Sequence, residues 1–152
     1  MTNEDKYKYW DMLSEYDIQT AYAMVNSERW VYVAFLCEQS IERLLKGMYV
    51  FYYSKEAPKS HNINFLISCI QKSEFFRSKV DQQAFREELA RHEDFLDDLV
   101  FYYISDYPFS YQKIMDRFIS EETAKEIFNG TNEVLEWLGS LQKPVRLRRG
   151  QI

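Results

Sequence analysis

Glycine and proline are scarce in this 152-residue chain, at four and three residues. So few turn-formers and helix breakers favour long helices joined by short connections. Cysteine is scarcer still. Cys37 and Cys69 are the two, and the absence of a CxxC pair or a His/Cys cluster argues against a disulfide framework or a metal site. Both lie among apolar residues and read as buried free thiols. No apolar run approaches about 18 residues, so no membrane span is expected. The opening Met1-Thr2-Asn3-Glu4-Asp5-Lys6 has no basic segment leading into an apolar one. That reads as no secretory signal and a cytoplasmic location. Internal repeats, low-complexity blocks and strand-like alternation are also missing.

What the chain has is bulk. With 46% hydrophobic residues, 12 Tyr and 11 Phe, it carries enough apolar area for one domain with a core of its own. Its net charge of −5 is unevenly placed. Residues 143–152 contain Lys143, Arg146, Arg148 and Arg149 and no acid, so removing those four cations leaves −9 on residues 1–142. An acidic body opposes broad, charge-driven binding to duplex DNA, though not a local basic pocket or a basic tail meeting phosphates. We therefore divide the chain into a helical domain over 1–142 and a basic tail over 143–152.

The strongest periodic signal lies between Trp30 and Tyr53. On a helix, Trp30, Val33, Ala34, Cys37, Ile41, Leu44, Leu45 and Met48 fall in one narrow arc. The opposite side is unusual, because Gln39, Glu42 and Lys46 form a polar stripe flanked by Tyr32, Phe35 and Tyr49. Aromatics beside a polar stripe imply cover on more than one side, so this helix reads as the centre of a bundle. Its polar groups then need partners.

Around it the periodicity predicts a first helix over about Lys6–Asn26, with Tyr9 or Trp10, Leu13, Tyr16 or Asp17, Thr20, Ala21 and Met24 inward. Ser27 is expected to cap the central helix. A loop over 54–60 leads to a short third helix with Ile63, Leu66, Ile67 and Ile70 on its apolar side. Residues 73–80 read as a loop. A long helix over about Asp81–Ile104 carries the seam Phe85, Leu89, His92, Leu96, Leu99 and Tyr103, and Pro108 breaks it. Ser120 caps a last helix whose core face is Ala124, Ile127, Phe128, Thr131, Val134, Leu135 and Leu138, with Gly139 as its C-cap. The expected fold is an all-α, up-and-down bundle of four long helices and one short one.

These residues, in this order, resemble the HEPN domain (higher eukaryote and prokaryote nucleotide-binding). The resemblance rests on Trp10, Asp17 and Ala21 in the first helix and on Ala34-Phe35, Gln39, Glu42 and Lys46 in the second. It continues through Pro58, Ser60-His61 and Phe65-Leu66, then Tyr102-Tyr103 and Tyr107-Pro108. It ends with Glu122-Thr123-Ala124 and Val134-Leu135-Glu136-Trp137, covering roughly residues 8 to 140. It implies a dimerising helical bundle that binds nucleotides or RNA, in a family with many metal-independent ribonuclease toxins paired with a small nucleotidyltransferase antitoxin. One position departs from the pattern. An Arg usually precedes the Tyr-Pro, and here Asp106 reverses that charge, which weighs against phosphodiester chemistry at this spot.

Two candidate sites follow. The family's nuclease pattern, an Arg then four to six residues and a His, is matched by Arg86 and His92. In a dimer His92 would serve as general acid/base, with Arg86 or Arg91 stabilising phosphoryl charge. Against this, six helical steps turn the two side chains roughly 240° apart, and His92 lies on the apolar seam, where a packed histidine is the commoner role. The second set is Gln39, Glu42, Lys46 and His61. It reads either as a structural ion-pair network with a loop-fixing or helix-capping histidine, or as a nucleotide site. Tyr102, Tyr103, Tyr107 and Tyr111 could stack on bases or simply pack. No cofactor and no metal is expected. The reading favoured is a non-catalytic nucleotide- or RNA-binding module that forms a homodimer and works with a nucleotidyltransferase-type partner. A metal-independent ribonuclease is the alternative.

Overall fold

In a computed structural model of the chain, residues 1–104 and 120–142 are described, with side chains for 1–100 and 120–142. Six helices occur among them: α1 (Asn3–Asn26), α2 (Trp30–Tyr53), α3 (Ile63–Gln71), α4 (Glu74–Lys79), α5 (Gln82–Ile104) and α6 (Glu121–Ser140). The described residues contain no strand. None of their helices is long and apolar enough to cross a membrane. The Asp106-Tyr107-Pro108 break, Tyr102, Tyr103 and Tyr111 as stacking groups, and the basic tail lie outside the described residues or their side chains.

Local chemistry moves several boundaries from where periodicity put them. α1 begins earlier than expected because Thr2 and Asp5 form a capping box: the Asp5 amide donates to Thr2 Oγ1 and the Thr2 amide to Asp5 Oδ2, both at 3.0 Å. These bonds satisfy two polar groups that a bare helix start would leave open. Ser27 does not cap α2. It closes α1, and Glu28 turns the chain at φ 58° before Arg29 leads into α2 without a side-chain cap. Residues 73–80 are not simply a loop, since Ser73 Oγ accepts the Phe76 amide and starts the single-turn helix α4. That turn drives the fully buried Phe76 into the core. α6 runs through Gly139 to Ser140, so Leu141 closes it in ordinary helical geometry rather than a glycine.

α2 touches each of the other five helices. Its predicted arc is buried from Val33 to Met48, with Trp30 half-buried. The predicted apolar sides of α3 and α6 are buried throughout. At roughly 1.5–3 kcal/mol for each large aliphatic side chain removed from water, this shared core is what holds the bundle. Among the described residues the long helices pack in antiparallel pairs. Ser14 meets Ser40 and Tyr7 meets Gly47, so α1 and α2 are antiparallel. Phe85 lies by Trp137 and Phe95 by Gly130, so α5 and α6 are antiparallel as well.

The α1–α2 contact fixes the register of the polar stripe. Ser14 Oγ donates to the Ser40 carbonyl at 2.7 Å, and Ser40 Oγ donates to the Ser14 carbonyl at 2.9 Å. Both hydroxyls are buried and satisfied while keeping the backbones close. At Gly47 a Cβ would lie 3.0 Å from Trp10 Cβ and 3.2 Å from the Tyr7 carbonyl. Only glycine lets α1 approach this closely without a shift. The inner side of α1 is Tyr7, Ser14, Asp17, Ile18 and Ala21, whereas Tyr9 and Tyr16 are exposed. Where the sequence offered Tyr16 or Asp17, the charged residue is the inner one.

Candidate functional site

The stripe on α2 becomes a buried polar layer once α1 covers it. Glu42 and Lys46, four residues apart, meet on one face, with Lys46 Nζ donating to Glu42 Oε1 at 2.8 Å. The same oxygen lies 2.9 Å from His61 Nδ1. A carboxylate can only accept, so Nδ1 carries the hydrogen of that bond. Lys46 Nζ also sits 5.6 Å from the centre of the Trp10 ring, a cation–π contact inside the bundle. Gln39 is half-buried one turn earlier on the same face of α2.

His61 reaches this layer because the loop after α2 is tied down around it. Ser60 Oγ accepts the Asn62 amide at 3.1 Å, and Asn62 Oδ1 accepts the Phe65 amide at 3.0 Å as the N-cap of α3. Asn62 therefore does the capping that His61 was a candidate for. The imidazole is left directed at Glu42, with 61% of its side chain exposed.

A second ion pair extends the layer, and sequence reasoning missed its cation. Arg43 Nη1 donates to Asp17 Oδ1 at 3.0 Å. Asp17 is buried, and its Oδ2 makes no hydrogen bond. Burial pushes the Asp17 carboxyl up to about 6. The Arg43 guanidinium pulls it back down only in part, and the negative Glu42 nearby adds to the rise. The one signal for Arg43 was its place four residues after Gln39 and next to Glu42, opposite an inward Asp17.

The exposures of these side chains are ordered by charge. Asp17 and Glu42 are 6% and 5% exposed, Lys46 11%, Arg43 26% and His61 61%. The acids and Lys46 lie inside, and Arg43 and the His61 imidazole reach solvent, each of the three aimed by a buried carboxylate. Arg43 and His61 are thereby preoriented at the surface of a chain whose overall charge is negative.

The Arg86/His92 pair is placed differently. Arg86 is exposed on α5. His92 is 7% exposed and stacks on Trp137 of α6, with ring centres 5.2 Å apart at 22°. Its Nε2 lies 3.6 Å from Glu88, which also pairs with Arg91 at 3.4 Å. α5 is uninterrupted between residues 86 and 92, so nothing brings the two side chains to one face within this chain. Cys37 is buried, and burial pushes its thiol up to about 12, with a lesser opposing pull from the nearby Thr131 hydroxyl. A thiol that hard to ionise is a packing group rather than a nucleophile. Cys69 is only half-buried. Among the described residues no group of His, Cys, Asp and Glu could hold a metal ion.

A family model described as HEPN domain matches residues 7–141. No curated protein and no solved structure matches the chain.

Proposed function

The chain belongs to the HEPN domain family, and on that premise we propose that it is a non-catalytic module holding the phosphate of a nucleotide or RNA. Arg43, Lys46 and His61 form the anion-facing side. Asp17 and Glu42 aim those cations from beneath, and Gln39 offers an amide to a neighbouring ribose or base. The observation that carries this reading is the single buried Glu42 oxygen that holds both Lys46 and His61. A buried carboxylate that holds an ammonium and an imidazole fixes the direction of both, and a buried ion pair is by itself weak evidence of a stabilising role. The family resemblance extends the reading to a homodimer and to a small nucleotidyltransferase-type partner, and the chain is read as working in the cytoplasm.

Binding of ATP and of a fluorescently labelled single-stranded RNA to the purified protein tests it. His61→Ala and Arg43→Gln, checked for unchanged helicity, are each expected to weaken binding by about tenfold, the loss of one charge-assisted hydrogen bond. Binding of both probes at wild-type strength by both variants would remove the site. The ribonuclease reading keeps the sequence match of Arg86 and His92 as its support. Incubation with mixed RNA beside His92→Ala addresses it: no cleavage by either protein is expected. Cleavage by the wild type that His92→Ala abolishes would replace the non-catalytic reading.

A further inference from the structure

Away from the polar layer, a cleft of about 520 Å³ opens between the end of α2, α4, the first turns of α5 and the end of α6. That is within the roughly 300–1,000 Å³ typical of small-molecule sites. Its walls are aromatic. Phe51, Tyr52, Phe85 and Trp137 line it, with Phe51 edge-on to Tyr52 at 4.8 Å and Phe85 5.3 Å from Trp137. Phe75, which also lines the cleft beside Tyr52, is 43% exposed although it is a large apolar residue.

The charges at the rim are not equivalent. Asp81 is committed to α5, since its Oδ1 accepts the amides of Gln83 and Ala84 at 3.0 and 3.1 Å. Glu88 is shared between Arg91 and His92. Lys79 has no ion pair among the described residues, and its ammonium lies 5.8 Å from the centre of the Phe75 ring on the same helix, both residues lining the cleft. Both acids of the lining are thus held by groups of α5, and Lys79 is its one described cation.

We propose that this cleft between α4, α5 and α6 binds a flat aromatic anion, its ring against Phe85 and Trp137 and its acidic group on Lys79. Ring-on-ring contact suits the wall, and the anion takes Lys79, the lining cation, which has no ion pair among the described residues. The site is separate from the Arg43–Lys46–His61 face and does not depend on what binds there.

Two dyes of similar shape serve as probes. 8-Anilinonaphthalene-1-sulfonate is the anion and N-phenyl-1-naphthylamine its neutral counterpart, both followed by their own fluorescence and by quenching of tryptophan in the folded protein. Lys79→Ala is expected to weaken the sulfonate by about tenfold and leave the neutral dye unchanged. Ala84→Trp, a substitution at an exposed lining position, is expected to block both dyes. His61→Ala is expected to affect neither, so failure of the phosphate-holding face and failure of this cleft are told apart. Equal loss of both dyes on Lys79→Ala, or undiminished binding to Ala84→Trp, overturns the proposal. So does self-association that Ala84→Trp abolishes, because the cleft would then belong to a second copy of the chain.

Discussion

Lowering the pH from 7 to 5 should stabilise this protein through Asp17, contrary to the usual behaviour of an ion-paired carboxylate. Asp17 is buried against α2, with one oxygen on Arg43 and the other unpaired. Its carboxyl stands at about 6 in the folded chain against an ordinary 3.8. A raised folded value means the native state holds a proton that the unfolded state has already released. Stability from this group is therefore fully present below 3.8 and is lost as pH rises through about 6. The full difference is roughly 3 kcal/mol, and between pH 7 and pH 5 the expected gain is about 1 kcal/mol. That corresponds to a rise in Tm of roughly 2–4 °C for a domain of this size. Asp17→Asn removes the titration while keeping an acceptor for Arg43, so its pH slope should be shallower than the wild type's by that amount. Urea unfolding followed by circular dichroism at pH 5, 6 and 7, for both proteins, reads the difference directly. Identical slopes would refute the argument that burial, rather than Arg43, governs this carboxyl. The same variant carries a functional readout. If the buried charge is retained to aim Arg43, Asp17→Asn should be more stable at pH 7 yet bind phosphate-bearing probes less tightly.

Glu42→Ala removes the hydrogen-bond acceptor of the buried Lys46 ammonium, and should cost about 3–5 kcal/mol in urea unfolding. Glu42→Gln keeps an acceptor and should cost less, and equal losses would mean that the carboxylate's charge is unimportant. Gly47→Ala ought to gain about 1 kcal/mol from helix propensity alone. Because the new Cβ meets Trp10 Cβ and the Tyr7 carbonyl, neither of which is the loose end of a flexible chain, a lower Tm is expected instead. A raised Tm would show that α1 can move away. Phe76→Ala should cost about 3–5 kcal/mol as a core cavity, read by denaturant midpoint. A cost within about 0.5 kcal/mol would show that α4 is merely an ordered loop.

The limits of reading this chain from its residues follow from what periodicity encodes. α2 and α6 were legible because their apolar arcs are built from Val, Ile, Leu and Ala, side chains with no alternative reason to recur every three or four positions. α1 was read less well because its register depends on tyrosines. A tyrosine has an apolar body and a polar tip, so the pattern could not choose Trp10 over Tyr9 or Asp17 over Tyr16, and the small Ser14, which in fact makes the contact, carried no signal. α4 escaped notice for a related reason: one helical turn has no period, only a cap, and Ser73 looked like a loop serine.

The polar layer divides along the same line. The Glu42–Lys46 pair is local, four residues apart on one helix, and so it was visible. The Arg43–Asp17 and His61–Glu42 contacts join positions 26 and 19 residues apart. They exist only because Gly47 and the paired serines set how closely α1 lies on α2, and because Ser60 and Asn62 fix the loop. Helix spacing can thus nominate half of such a site. The other half is decided by the small residues that set the distance between helices, and those residues carry no chemical signature of the site they create. A search for buried sites in helical bundles should therefore begin at the glycines and serines facing a polar stripe, since they determine which acids a covering helix brings to the cations beneath it.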